Sequence, residues 1–134
     1  MGYETYDSPK FLARRAEIRA AKVFYDAILV RGSAALDEYR DRSKNRSINE
    51  VLNEGQLNRI GYWLLQKKKV NEAIEVFSMN VANFPKSSNA YDSLAEAYME
   101  AGNKPEAIKN YQRSLALDPA NDNARQMIKR LERQ

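Results

Sequence analysis

Pro85 and Pro119 are each approached through the same succession of large and small residues, which fixes an internal repeat of 34 residues. That period belongs to solenoids made of paired helices. The later copy runs Tyr91, Leu94, Ala95, Tyr98, Gly102, Ala107, Tyr111, Ser114 and Pro119. The earlier one runs Leu57, Ile60, Gly61, Leu64, Lys68, Ala73, Phe77, Asn80 and Pro85. Large apolar positions are matched by large apolar ones, and small positions mostly by small ones. The pattern therefore predicts an all-α, right-handed helix-turn-helix solenoid of about seven helices.

The boundaries follow from caps and breakers. Residues 1–8 lack periodicity and read as a disordered leader. Ser8-Pro9 starts a helix that runs to about Val30, because Ser caps and Pro fits the first helical position. Arg31-Gly32-Ser33 ends it, and a second helix reaches about Ser43. This pair, within residues 9–47, reads as a degenerate repeat, and Arg42 to Asn49 reads as a connecting loop. Residues 48–134 hold two clear repeats, about 54–87 and 88–121, with a last helix capped by Asp122. That helix places Arg125, Ile128, Lys129 and Glu132 where the pattern expects packing residues, so one face stays polar, as a terminal cap requires. Asn103 with Glu106 three residues on reads as a capping box.

The residue pattern resembles the tetratricopeptide repeat. The later copy fits that signature throughout. The earlier copy departs at Lys68, where the turn usually carries Gly, and at Asn80, where the family has a small residue. Lys68 at positive φ costs roughly 1 kcal/mol. Asn80 implies either a looser helix crossing or a specific hydrogen-bond partner. A narrower stretch, about residues 50 to 120, is similar to the repeat tails of bacterial serine hydrolases and esterases. Leu57-Asn58, Gly61-Tyr62, Glu72-Ala73-Ile74, Phe84-Pro85 and Asn89-Ala90-Tyr91-Asp92 carry that similarity.

Binding in the family uses the concave face, lined by the first helix of each pair. The resemblance assigns to it Asn58, Tyr62, Leu65 and Gln66 in the first repeat, and Asn89, Asp92, Ser93, Glu96, Met99 and Glu100 in the second. Asp92, Glu96 and Glu100 fall at i, i+4 and i+8, one acidic stripe, where like charges disfavour the isolated helix by a few tenths of a kcal/mol each. Two readings stand: a solvated face, or a groove for a basic or amphipathic segment. A candidate occupant is the N-terminal helix, with Arg14, Arg15, Arg19 and Lys22, from the same chain or a second copy. The Lys, Asn and Arg clamp with which some relatives hold acidic C-terminal peptides is missing at these places. Trp63 is read either as packing against the N-terminal pair or as a stacking surface for a ligand. Gln66-Lys67-Lys68-Lys69 complements a helix C-terminus.

Composition removes most chemistry. The chain has no cysteine and no histidine, so disulfides, thiolate catalysis and imidazole triads have no residues to work with. Glycine-rich phosphate loops and Ser-x-x-Lys or Gly-x-Ser-x-Gly nucleophile motifs are absent. With 43% hydrophobic and 30% charged residues the composition is that of a globular domain. Residues 1–48 hold 10 Lys+Arg against 7 Asp+Glu, and 49–134 hold 12 against 11, an imbalance too small to imply a nucleic-acid or membrane partner. The expected role is a non-catalytic protein-protein interaction or oligomerisation module, without cofactor or metal. Free-standing, it belongs in the cytoplasm. As the tail of a secreted hydrolase it belongs in the periplasm, with intrinsic hydrolase activity the less favoured alternative.

Overall fold

The computed structural model describes residues 8–44 and 51–134, and these form seven helices with no strand among them. In chain order they are α1 (Pro9–Arg31), α2 (Ser33–Lys44), α3 (Glu54–Gln66), α4 (Val70–Asn83), α5 (Ser88–Glu100), α6 (Lys104–Leu117) and α7 (Asp122–Arg133). The leader expected over residues 1–8 lies, save Ser8, outside the described residues, as do residues 45–49 of the expected loop. Arg42 to Lys44 are not loop but the last turn of α2. α1 packs on α2 and α3, α2 also meets α4, and from α3 onward each helix packs on the next, with α3 touching α5 as well.

Local chemistry sets the helix ends. Ser8 accepts a hydrogen bond from the Phe11 amide at 3.1 Å, and Pro9 occupies the first turn. Gly32, at φ 61°, turns the chain between α1 and α2 with a single residue. Asn53 and Gln56 form a full capping box at α3: the Asn53 side chain takes the Gln56 amide at 2.8 Å, and the Gln56 side chain takes the Asn53 amide at 2.8 Å. The box expected at Asn103 is only half made. Its side chain accepts from the Glu106 amide at 3.2 Å, but its own amide already donates to the Tyr98 carbonyl at 2.9 Å, leaving nothing for the Glu106 carboxylate to accept. The last helix is capped by Asn121, not Asp122. The Asn121 side chain takes the Ala124 amide at 3.1 Å, and Asp122 sits in the first turn.

Lys68 adopts the turn that glycine makes in the second repeat, with φ 62° against 77° at Gly102. The bonds around it recur: the amides of Lys69 and Asn103 each donate at 2.9 Å, to the Leu64 and Tyr98 carbonyls. The wrapping is the same although one copy carries the less suitable residue.

Two apolar clusters fill the stack. Ala21, Phe24, Tyr25 and Ile28 of α1 and Leu36 of α2 are buried together with Leu57, Ile60, Leu64, Val76 and Phe77. The N-terminal pair is therefore continuous with the first repeat. Ala95, Ala107, Tyr111, Ala124, Met127 and Leu131 form the second cluster, and Tyr98 packs against both. Trp63 takes the packing role, its ring 5.2 Å from that of Tyr25. At Gly61 the helices approach so closely that a Cβ would lie 2.2 Å from Phe77 Cε1. On α7, Ala124, Met127 and Leu131 are buried while Asp122, Asn123, Gln126, Lys129 and Arg130 face solvent, so the stack ends on a polar surface.

Asn80 has the specific partner that its polarity implied. Fully buried, it donates through Nδ2 to the Glu54 carbonyl at 3.2 Å. One period later Ser114 donates to the Ser88 carbonyl at 2.7 Å, so a side chain of the second helix ties down the start of the first helix in both repeats. Asn80 Oδ1 has no hydrogen-bond partner. Asn80→Ala is expected to cost about 1–3 kcal/mol, and Asn80→Ser less, because the serine hydroxyl keeps the bond as Ser114 does. Urea unfolding of the two variants measures the difference.

Candidate functional site

The ten residues assigned to the binding face fall on α3 and α5, two adjacent first helices. Their side chains form a hydrogen-bonded web. Tyr62 Oη donates to Glu96 Oε2 at 2.6 Å and lies 3.1 Å from Ser93 Oγ, which in turn donates to Asn58 Oδ1 at 2.7 Å. Asn121, beyond α6, makes a separate group of bonds beside it, donating through Nδ2 to Asp92 Oδ1 at 3.3 Å and to Ser114 Oγ at 3.0 Å. Ser93 is buried, Asn58, Tyr62, Leu65, Asp92, Glu96 and Met99 are half-buried, and Asn89 and Glu100 are exposed. Asn89, Leu65, Met99 and Glu100 share the face without joining the web.

The register explains why these groups meet. Tyr62 and Glu96 occupy the same repeat position, and stacked first helices bring equal positions side by side. The two neutral donors, Tyr62 and Asn121, offset the repulsion within the acidic stripe without cancelling its charge. No cation stands within ion-pair distance of Asp92, Glu96 or Glu100 among the described residues.

The N-terminal helix does not lie on this stripe in its own chain. It packs on α2 and α3 instead, where Gln56 Nε2 donates to the Glu17 carbonyl at 2.9 Å. Lys22 pairs with Asp26 at 2.9 Å, and Arg15 lies over the Phe11 ring, 5.7 Å from its centroid. A site that the sequence reading missed is an apolar cleft of about 320 Å³ between α1 and α2, lined by Val23, Phe24, Ala27, Ala35, Tyr39 and Leu52 among others. The alternation of apolar residues on α1 was its only trace in the sequence.

Two tyrosines report the field of the stripe. Burial raises the hydroxyl pKa of Tyr62 above the ordinary value of 10.0, and its hydrogen bond to Glu96 adds to the rise. Burial also raises Tyr111, helped by the charges of Asp92 and Glu96 and opposed by Arg130. A tyrosine whose folded pKa exceeds its unfolded one contributes stability fully below the unfolded value and loses it as pH climbs through the folded one. Thermal stability should thus fall as pH rises above about 10. Phenolate absorbance should show Tyr62 and Tyr111 ionising last, and Tyr62→Phe should remove one late step and weaken the alkaline loss.

Comparison with known proteins agrees with the architecture. Residues 88–121 match the tetratricopeptide repeat family model. The chain is also 30% identical over 124 residues to Superkiller protein 3 of Schizosaccharomyces pombe, an alignment that covers 76% of this chain and 9% of that protein. The matched residues span α5, α6 and the turn after them, so one hairpin of the stack is similar to a tetratricopeptide repeat, and the seven helices without a strand among the described residues are consistent with a helical solenoid. No helix among the described residues is long and apolar enough to cross a membrane.

Proposed function

We propose that this chain is a non-catalytic protein-protein interaction module whose α3 and α5 face receives a basic or amphipathic segment. The observation that carries the reading is the uncompensated acidic stripe. Asp92 and Glu96 are oriented by Asn121 and Tyr62, yet no cation pairs with them among the described residues. Partly exposed Leu65 and Met99 beside the carboxylates supply apolar contact for an amphipathic ligand.

Such an arrangement selects for charge and shape and performs no bond chemistry. Calorimetric titration with a Lys- and Arg-rich amphipathic helical peptide tests it. Asp92→Asn combined with Glu96→Gln keeps side-chain volume while removing two charges, and is expected to weaken binding roughly tenfold or more. Equal affinity for the wild type and this variant would refute the reading. The resemblance to hydrolase tails supports an accessory role behind a catalytic domain, which a hydrolase domain in the same reading frame would establish.

A further inference from the structure

The other half of a complementary pair stands on the same chain. Every large hydrophobic side chain that is exposed among the described residues belongs to α1: Leu12, Ile18, Val23, Leu29 and Val30. Leu12, Val23 and Val30 recur at whole numbers of helical turns and so share one stripe, turned away from the buried Ala21, Phe24 and Ile28. Arg15, Arg19 and Lys22 run along the edge of that stripe. From Pro9 to Ala20 no residue is buried, so the first half of α1 stands clear of the core. A helical segment of that length gains little stability by itself.

Spacing and charge match across the two surfaces. Arg15, Arg19 and Lys22, at i, i+4 and i+7, span about 10 Å of helix, and Asp92, Glu96 and Glu100, at i, i+4 and i+8, span about 12 Å. The apolar stripe beside the cations corresponds to Leu65 and Met99 beside the carboxylates. Within one chain the two surfaces cannot meet, because α1 is held on α3 through Tyr25 against Trp63 and Gln56 against Glu17.

We infer that the occupant of the acidic face is the α1 helix of a second copy of this chain. The inference rests on the binding-face reading above and names its partner. Reciprocal docking of the α1 outer faces closes a two-fold dimer, and one-way docking gives a chain of copies. Exposed ion pairs across such a contact weaken as salt rises.

Sedimentation velocity of the full chain over a range of concentration and salt tests this. Wild type is expected to self-associate at low salt and to dissociate as salt is added. Arg15→Glu with Arg19→Glu should weaken association roughly tenfold or more, and so should Glu96→Lys with Glu100→Lys; mixing the two variants should restore a complex. Glu100→Lys alone, at an exposed position, repeats the test should the double variant fail to fold. A wild type that stays monomeric throughout overturns the inference, as does self-association indifferent to both reversals. So does a monomer that α1 tethers to vesicles of anionic phospholipid. A monomeric chain that still binds the basic peptide at Asp92 and Glu96 would sink the second-copy inference alone. A chain that does neither would sink the binding-face reading as well.

Discussion

Gly61→Ala is expected to destabilise the chain by about 2 kcal/mol, and Gly61→Val by about 3 kcal/mol or more. The added Cβ would meet Phe77 Cε1 at 2.2 Å and Cζ at 2.4 Å, inside any permitted contact, and Phe77 is wholly buried with no room to retreat. Alanine regains up to about 1 kcal/mol of helix propensity over glycine, which is why it costs less than the steric clash alone. Valine adds further bulk at the same point. Shrinking the opposing ring should reverse the sign of the effect: Gly61→Ala made in a Phe77→Leu background should cost little or stabilise. Chemical denaturation of the four proteins gives the coupling, and additive effects would mean that the helices do not meet there. In the second repeat Ala95 and Tyr111 hold the same positions, so that hairpin accommodates the Cβ the first excludes.

Leu36→Ala in α2 is expected to cost about 3 kcal/mol and to lower the single unfolding transition of the whole chain. Leu36 has no exposed surface and belongs to the cluster that contains Leu57, Leu64 and Phe77. A cavity there removes contacts from the first repeat as well as from the N-terminal pair. Calorimetry distinguishes the possibilities. One transition moving to lower temperature supports a continuous core, whereas a split into two would show that the N-terminal pair unfolds independently.

The repeat was legible because packing between stacked hairpins writes itself into side-chain size at a fixed period. Gly61 opposite Phe77 and Ala95 opposite Tyr111 are such traces. Polar details were less so. The choice of Asn121 over Asp122 as a cap depends on which backbone turns first, and both residue types cap well. Asn53 with Gln56 had a readable capping spacing that was passed over, while Asn103 with Glu106 had the spacing but lost its second bond to a turn carbonyl. The binding-face residues were named from their repeat positions, yet their web was not anticipated. Comparing equal positions on successive first helices would have set Tyr62 beside Glu96. The apolar outer stripe of α1 escaped notice because its large residues, Leu12, Val23 and Val30, are separated by several turns and interleaved with alanine and arginine. Residue sizes on the neighbouring hairpin carry no echo of it.

Amide shift mapping during titration with the basic amphipathic peptide locates the binding surface directly. The expected result is a set of saturable shifts centred on Asn58, Tyr62, Leu65, Asp92, Glu96 and Met99, lost in the charge-neutralised variant. Shifts confined to the α1 and α2 cleft around Val23 and Tyr39, with the α3 and α5 face unmoved, would contradict it.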